Sequence, residues 1–288
     1  MKNRSVLITG ASTGMGEATA RLLAQRGYTV FAGVRSPQAV ERLRDGQVAN
    51  LHPLQLDVTR EQDIAQAYHT VRAKAGTVAL VAVINNAGNA YTTPTEHYDP
   101  EKARELMDTH FWGTVRVTRT FLPLLREYAR EHPGQARILN VGSIGSLSAF
   151  PFIQFYNAAK FAILGFTESI RFELAPFGIQ AIAILPGSVQ TQIWHRNART
   201  LQETLAALGE EGMALYQPYL ARYEALAGSL EKSGMPSQQA AKTFLHALEV
   251  PNPRLKYFIG RDAKAVQLMV KYLPDGIRHW LIRRQLGF

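Results

Sequence analysis

A tyrosine and a lysine stand four residues apart, at Tyr156 and Lys160. If the segment is helical, that spacing places both side chains on one face. A phenol is a poor acid–base group near neutral pH because its ordinary pKa is about 10, but a nearby ammonium lowers that pKa. Such pairs also occur by chance on helix surfaces. Ser143 follows an apolar run that ends at Val141, and it could hold a substrate oxygen beside the phenol. These three residues therefore form a candidate acid–base site.

Three glycines follow the first apolar run, in residues 9–16, TGASTGMG. Glycine lets the backbone turn sharply and approach a pyrophosphate, and a helix N-terminus attracts the phosphate charge. A tight turn alone also needs glycine, but a position between the first strand and the first helix favours phosphate binding. The predicted cofactor contacts on this turn are Gly10, Ser12, Thr13, Gly14, Met15 and Gly16.

The second predicted strand ends with Val34 and is followed by Arg35. NAD sites carry an acidic side chain near this position, which binds the adenosine ribose hydroxyls. An acid would repel a 2′-phosphate, whereas an arginine can bind it. The sequence therefore predicts NADP(H) as the cofactor, with NAD less favoured. The alternative is that Arg35 is an ordinary surface arginine.

Polar residues also follow the third and fourth predicted strands, at Asp57 and at residues 85–88, NNAG. A carboxylate after the third strand could accept a hydrogen bond from an adenine amino group, or it could form a turn or helix cap. Asparagine and glycine at a strand end suit a backbone that bends around a ligand. The predicted cofactor contacts here are Asp57, Val58, Asn86, Ala87 and Gly88.

Apolar runs alternate with helical patterns along the chain. The predicted strands are Ser5–Thr9, Thr29–Val34, Leu51–Leu56, Ala79–Ile84, Arg137–Val141, Gln180–Leu185 and Lys256–Ile259. The main predicted helices are Gly16–Arg26, Pro37–Gly46, Arg60–Ala75, Glu101–Glu131 and Phe155–Ala175. Continuously apolar strands indicate burial on both faces. The alternation predicts an α/β fold, a doubly wound Rossmann-type parallel sheet whose ligand lies at the carboxyl ends of the strands.

The pattern loosens after Pro186. We predict a helical insertion on the substrate side over residues 191–235 and a basic extension over residues 254–288, all within a single domain spanning residues 1–288. The formal net charge is +9, and most of the excess lies in the extension. A solvated basic face would explain this, as would peripheral contact with an anionic membrane into which Trp280 and its neighbours insert. Nothing indicates a nucleic-acid partner.

Composition excludes several classes of chemistry. The chain has no cysteine, so disulfides, thiolate catalysis and cysteine-ligated metals are excluded, and no metal site is predicted. No apolar run approaches the ~20 residues of a spanning helix. The N-terminus leads directly into the first predicted strand, which leaves no room for a targeting peptide, so we expect a cytoplasmic location.

Taken together, these motifs resemble those of the short-chain dehydrogenase/reductase family. In chain order they are TGASTGMG at 9–16, DV at 57–58, NNAG at 85–88, Ser143, YNAAK at 156–160 and PGSVQT at 186–191. The resemblance covers residues 4–191. It continues more weakly through Tyr257-Phe258 and Leu273-Pro274-Asp275, which are similar to bacterial relatives of the 17-beta-hydroxysteroid and retinol dehydrogenases.

The resemblance implies a role for each matching residue. Tyr156 would be the general acid in reduction and the base in oxidation. Lys160 would lower the pKa of the phenol and bind the nicotinamide ribose, while Ser143 would orient the substrate oxygen. The loop that would hold the carboxamide end of the cofactor contains Pro186, Gly187, Val189 and Thr191. The nicotinamide would carry out the hydride chemistry. The resemblance also implies a homo-oligomer built through the long helices, unless the C-terminal extension covers that surface.

One position departs from the family pattern. His110 stands in the segment DTHFWG, residues 108–113, where the family usually has an asparagine that holds a water on the proton path to the lysine. Histidine also donates and accepts protons and titrates near neutrality, so the relay could survive with an altered pH profile. Alternatively, the bulkier imidazole displaces the water, or His110 is a buried histidine without a catalytic part. We expect it to act as the relay.

Bulky apolar residues cluster where the substrate should meet the cofactor. The candidates are Leu147, Phe150, Phe152, Gln154, Val189, Ile193, Trp194, Met213, Tyr216, Tyr219 and Tyr223. Packing of a lid helix onto the core would explain the tyrosines equally well. The sequence predicts an NADP(H)-dependent oxidoreductase that interconverts an alcohol and a ketone or aldehyde on a bulky apolar substrate, steroid- or retinoid-like. The alternative is a cofactor-binding sensor, or a weakly active homologue, because of His110.

Overall fold

The computed structural model describes residues 4–46, 48–74 and 78–287. The predicted helix end at Ala75 and the two ends of the predicted domain, residues 1–3 and Phe288, lie outside the described residues.

A seven-stranded parallel sheet runs through the described part of the chain. Its strands are β1 (Arg4–Thr9), β2 (Thr29–Val34), β3 (Leu51–Gln55), β4 (Ala79–Asn85), β5 (Ala136–Val141), β6 (Ile179–Pro186) and β9 (Lys256–Ile259). The strand order is β3-β2-β1-β4-β5-β6-β9. The direction of winding reverses between β1 and β4, which opens a crevice at their carboxyl ends. The predicted doubly wound Rossmann-type sheet is confirmed.

Helices connect the strands and cover the sheet. They are α1 (Gly14–Gln25), α2 (Pro37–Asp45), α3 (Glu61–Lys74), α4 (Pro100–Met107), α5 (Gly113–Glu131), α6 (Gln154–Leu174), α7 (Ile193–Ala207), α8 (Glu210–Ser233), α9 (Ser237–Glu249), α10 (Arg261–Tyr272) and α11 (Asp275–Leu286). Short 3₁₀ turns occur at Thr95–His97, Ile144–Ser146 and Ala175–Phe177. Helix α1 packs against α9, and α3 packs against α5. The sheet is therefore enclosed by helices, as parallel sheets require.

The composition of each strand matches its place in the sheet. Val83 and Ile84 in the central strand β4 are fully buried, as expected for a strand covered on both faces. The edge strand β3 is mostly half-buried and contains Pro53. Because proline cannot donate a ladder hydrogen bond, an edge strand is where the sheet tolerates it.

The predicted helix Glu101–Glu131 is not continuous. Helix α4 ends at Met107, a π-helical turn covers Asp108–Trp112, and α5 begins at Gly113. The hydroxyl of Thr114 donates to the carbonyl of His110 at 2.7 Å, in the turn that follows the wider segment. The π turn contains no proline or glycine that would mark a change in the helix. Such turns occur frequently at functional sites, and this one contains the buried His110.

A second, two-stranded sheet joins the cofactor side to the insertion. Met235–Pro236 is a short strand, β8, which pairs in parallel with β7 (Val189–Gln190). The amide of Met235 also donates to the carbonyl of Ser188 at 2.9 Å. The end of the insertion is thereby fixed to the loop after β6.

Helices α7 and α8, here called the lid, have a small apolar core of their own. Phe152, Leu201, Leu220 and Tyr223 are buried in it, and Ile282 of the C-terminal extension packs against them. The extension therefore lies on the lid. No helix within the described ranges is long and apolar enough to cross a membrane. Peripheral membrane contact, homo-oligomerisation, the cytoplasmic location and the single-domain boundaries stay predictions.

Candidate active site

A cavity of about 400 Å³ opens at the carboxyl ends of the central strands, between residues 10–16, here called the glycine turn, and the lid. Nearly all the sequence-predicted site residues line it. They are Gly10, Ser12, Thr13, Gly14, Met15, Gly16, Arg35, Val58, Asn86, Ala87, Gly88, His110, Ser143, Tyr156, Lys160, Pro186, Gly187, Val189 and Thr191. The structure therefore brings the glycine turn and the tyrosine–lysine pair to one cavity.

The glycine turn is packed against the loop that follows β4. Gly10 has φ of +65°, and a Cβ there would lie 2.7 Å from the Cα of Ala87. A Cβ on Gly16 would lie 2.4 Å from the carbonyl oxygen of Gly10. The side-chain amide of Asn86 donates to the carbonyls of Thr9 (3.1 Å) and Gly10 (3.0 Å). Only glycine fits these contacts, and the resulting bare backbone at the N-terminus of α1 suits a dinucleotide pyrophosphate.

Arg35 extends from the end of β2 into the same cavity and is exposed. Within the described ranges no carboxylate lies at ion-pair distance from it. The neighbouring Arg42, by contrast, pairs with Glu17 at 2.9 Å and also donates to the carbonyl of Ser12. An unpaired guanidinium at this strand end fits a 2′-phosphate.

Asp57 is the exception among the predicted cofactor contacts. Its Oδ1 accepts hydrogen bonds from the amide (2.9 Å) and the hydroxyl (2.7 Å) of Thr59, and Asp57 does not line the cavity. The carboxylate is satisfied within its own turn, as aspartates after strands commonly are. The turn-forming alternative is therefore observed, and the adenine contact of Asp57 stays a prediction.

Ser143 links the end of β5 to helix α6. Its hydroxyl accepts from the amide of Gly145 at 3.1 Å, and it lies close enough to the phenol of Tyr156 to lower the phenol pKa. Its own amide donates to the hydroxyl of Ser146 (3.1 Å), which donates to the carbonyl of Lys160 (2.8 Å). These bonds hold Ser143 and the first turns of α6 in one arrangement, with the hydroxyls of Ser143 and Tyr156 at the cavity.

Lys160 lies beneath the phenol. Its ammonium donates to the carbonyl of Val141 at 2.7 Å and lies 5.5 Å from the centroid of the Tyr156 ring. Burial lowers the pKa of Lys160 to about 7. Burial also raises the pKa of Tyr156, an effect that the nearby hydroxyl of Ser143 partly offsets. The expected lowering of the phenol pKa is therefore absent here, because desolvation exceeds the stabilisation of the phenolate.

His110 is buried against this pair. Its ring meets the Tyr156 ring edge-on, with centroids 5.5 Å apart. Its Nε2 lies 2.9 Å from the carbonyl oxygen of Asn89 and 3.1 Å from the amide nitrogen of Asn89, while Nδ1 is buried with no partner in the described part of the chain. Burial, and then the charge of Lys160, hold the imidazole pKa well below its usual value. The histidine is therefore neutral at physiological pH.

The loop after β4 makes room for this histidine through Gly88. A Cβ at Gly88 would lie 2.6 Å from Cε1 of His110. The imidazole thus occupies the space beside a residue that has no side chain. This contact explains how the bulkier residue is accommodated where the family pattern has asparagine.

The substrate side matches the predicted residues only in part. Phe150, Val189, Ile193, Trp194 and Tyr223 line the cavity. The remaining candidates, Leu147, Phe152, Gln154, Met213, Tyr216 and Tyr219, do not. Tyr216 instead donates to Glu96 at 2.5 Å, and Phe152 and Tyr219 pack in the lid core. Tyr216 and Tyr219 therefore serve mainly to pack the lid.

Several cavity residues were not predicted. Leu226, Ala227 and Leu230 of α8 line it together with Tyr223. Their spacing of three, four and seven residues from Tyr223 is an apolar helical stripe, a signal that attention to the tyrosines alone misses. Val266 and Gln285 bring the C-terminal extension to the cavity, and Arg196 lines it from α7. No local sequence pattern marks these last three positions.

Comparison with known proteins agrees with this geometry. The family model described as short chain dehydrogenase matches residues 4–202. The uncharacterized oxidoreductase YusZ of Bacillus subtilis is 34% identical over 291 residues, covering 99% of each chain. The human 17-beta-hydroxysteroid dehydrogenase type 2 is 31% identical over 298 residues, covering 99% of this chain and 74% of the relative.

A solved structure gives the same result. A short chain dehydrogenase from Burkholderia cenocepacia, crystallised in complex with NADP, has a TM-score of 0.71 and 26% identity, with 99% of each chain covered. The match extends through the lid and the C-terminal extension as well as the sheet. The family resemblance of the motifs is thus confirmed over most of the chain, and the chain belongs to the short-chain dehydrogenase/reductase family of oxidoreductases.

Proposed function

We propose that this protein is an NADP(H)-dependent oxidoreductase that interconverts an alcohol and a ketone or aldehyde on a bulky apolar substrate. One observation carries the proposal. The phenol of Tyr156, the hydroxyl of Ser143 and the glycine turn face the same cavity. A bound dinucleotide and a carbonyl substrate can therefore meet beside a proton donor.

The chain supplies binding and the proton. In reduction, the hydroxyls of Ser143 and Tyr156 hold the substrate oxygen, and Tyr156 protonates it. Because burial raises the phenol pKa, Tyr156 keeps its proton at neutral pH and is ready as an acid. In oxidation the same oxygen accepts the proton. A bound nicotinamide would supply or accept the hydride.

His110 is proposed to relay protons behind this pair. Its Nε2 faces both backbone groups of Asn89, so it can donate to the carbonyl in one tautomer and accept from the amide in the other. Either tautomer keeps one hydrogen bond, and Nδ1 can then take up or release a proton. This arrangement supports a relay that uses a neutral imidazole in place of the family asparagine.

The preference for NADP(H) rests on Arg35. The guanidinium lines the cavity at the end of β2 and has no carboxylate within the described ranges to neutralise it. A 2′-phosphate would supply that charge through charge-assisted hydrogen bonds, which are stronger than neutral ones. The relative from Burkholderia cenocepacia, which was crystallised with NADP, supports the same preference.

The substrate class rests on the lid side of the cavity. Its surface includes Phe150, Ile153, Trp194, Leu226 and Leu230. Large apolar and aromatic linings favour large apolar ligands. The human relative is named for a hydroxysteroid, which agrees with a steroid- or retinoid-like molecule.

The test is carbonyl-dependent oxidation of NADPH by a panel of ketones and aldehydes of increasing apolar size. We expect turnover with the bulky members, and a loss of about 10³-fold in the Tyr156→Phe variant with NADPH binding unchanged. Tyr216→Phe is the matched control because that phenol bonds to Glu96 outside the cavity. If the protein binds NADPH yet reduces no carbonyl compound, the proposal is wrong and the cofactor-binding sensor replaces it.

A further inference from the structure

Two arginines from opposite walls face the cavity without an acidic partner. Arg35 comes from β2, and Arg196 comes from the first turn of lid helix α7. Across residues 4–46, 48–74 and 78–287, neither lies at ion-pair distance from a carboxylate. Arg199, one turn further along α7, is by contrast paired with Glu203 at 3.0 Å. Helix α7 thus carries one neutralised and one unneutralised arginine.

Arg196 is held at the edge of the cofactor cradle. Its Nη1 donates to the carbonyl of Gly88 at 3.4 Å, a long hydrogen bond to a neutral acceptor. Gly88 directly follows Asn86 and Ala87, which pack on the glycine turn. The guanidinium therefore lies next to the backbone that is suited to phosphate.

Arg196 has another positive charge near it but no ion-pair partner among the described residues. Its side chain is half-buried, and burial together with the charge of Arg35 lowers its pKa. Arginine nevertheless stays charged at neutral pH. An unneutralised pair of guanidinium groups at one cavity is unfavourable until an anion lies between or beside them.

We propose that Arg196 is a phosphate ligand carried by the lid, which exchanges its bond to Gly88 for one to a phosphate of the bound dinucleotide. The exchange replaces a neutral acceptor with a charged one, so it is favourable. Because Arg196 belongs to α7, cofactor binding would fix the lid before a carbonyl substrate arrives. The inference rests on the proposed dinucleotide function.

The test is direct titration of the purified protein with NADPH and with NADH, without substrate. We expect Arg196→Gln to weaken NADPH binding about ten- to hundredfold. Arg199→Gln, on the same helix but paired and exposed, should change it less than about twofold. A loss confined to NADPH assigns Arg196 to the 2′-phosphate, and an equal loss for both dinucleotides assigns it to the pyrophosphate.

Limited proteolysis of the lid gives a second readout. NADPH should slow cleavage within residues 193–233 of the wild type and of Arg199→Gln, but not of Arg196→Gln. If the wild type binds NADPH and the Arg196→Gln variant binds NADPH and NADH as tightly as the wild type does, this inference alone is overturned. A wild type that binds neither dinucleotide would overturn the proposed function as well.

Discussion

The two walls of the cavity are built in different ways. The glycine turn contacts the loop after β4 through backbone atoms and one asparagine amide, at the ends of buried central strands. The lid rests on a small apolar core of its own and is fastened by side chains, such as the hydroxyl of Thr204 on the carbonyl of Thr92 at 2.7 Å. Backbone packing admits few residue types, whereas side-chain packing admits many. The wall that contains the glycine turn therefore tolerates few substitutions, whereas the lid tolerates many.

The largest difference between the two walls should appear when one methyl group is added to each of them. Gly16→Ala would place a Cβ 2.4 Å from the carbonyl of Gly10 and 2.5 Å from Asn86 Nδ2, so we expect NADPH binding to fall about hundredfold. Gly228→Ala in α8 meets nothing within 4 Å. It should leave binding unchanged and raise the free energy of unfolding by up to about 1 kcal/mol. Titration and thermal unfolding of both variants measure the contrast, which disappears if Gly16→Ala binds NADPH normally.

A substitution of Arg35 tests whether the wall that contains the glycine turn also determines the preference for NADPH over NADH. Arg35→Asp should lower the preference for NADPH over NADH about thirtyfold, because a favourable bond to the 2′-phosphate becomes a repulsion. Arg44→Gln is the control, since that exposed arginine is paired with Glu41 and does not line the cavity. Equal binding of NADPH and NADH by the unmutated protein would contradict the role given to Arg35.

The pH profile of the catalytic site, which lies between the two walls, should show a single inflection near neutral pH. Burial lowers the pKa of Lys160 to about 7, so the ammonium loses its proton as the pH rises through that value. For carbonyl reduction, kcat/KM should fall about tenfold from pH 6 to pH 8. His110→Asn should keep the inflection in place, because the histidine pKa lies well below its usual value and the ring is neutral throughout. Disappearance of the inflection in that variant would assign the titration to His110 instead.

The smallest effect should come from reshaping the lid. Leu226→Phe enlarges a side chain that lines the cavity and packs on the lid core. We expect kcat/KM for bulky ketones to fall about fivefold, with small aldehydes and NADPH binding unaffected. Leu215→Phe, at an exposed position of the same helix, is the control. A change in NADPH binding rather than in substrate preference would show that the two walls are not separate in function.

The sequence predicted the parts of the site whose positions are determined by the course of the backbone. The sheet, the glycine turn, and the convergence of Ser143, Tyr156 and Lys160 on one cavity follow from strand order and from positions that only certain residues can occupy. The turn role of Asp57 is visible in its hydrogen bonds to Thr59, whereas its adenine contact stays a prediction. The π turn at Asp108–Trp112 was not predicted, because it contains no proline or glycine to mark a change in the helix.

The lid and the C-terminal extension were harder to predict for a physical reason. Tyr216 and Tyr223 are spaced as one stripe, yet only Tyr223 reaches the cavity, because the rotation of α8 depends on contacts with distant residues such as Glu96 and Asn197. Arg196 and Gln285 reach the cavity through tertiary packing alone. Residues that act through such long-range contacts carry no local pattern.

The central claim is that the two walls bring a dinucleotide and a carbonyl compound together for hydride transfer, with the proton supplied by Tyr156. The most direct measurement uses NADPH deuterated at both C4 positions with a bulky apolar ketone, and mass spectrometry of the alcohol formed. The account predicts one deuterium on the carbinol carbon of the wild-type product and almost no product from Tyr156→Phe. An alcohol without deuterium on that carbon, or full activity in Tyr156→Phe, would contradict it.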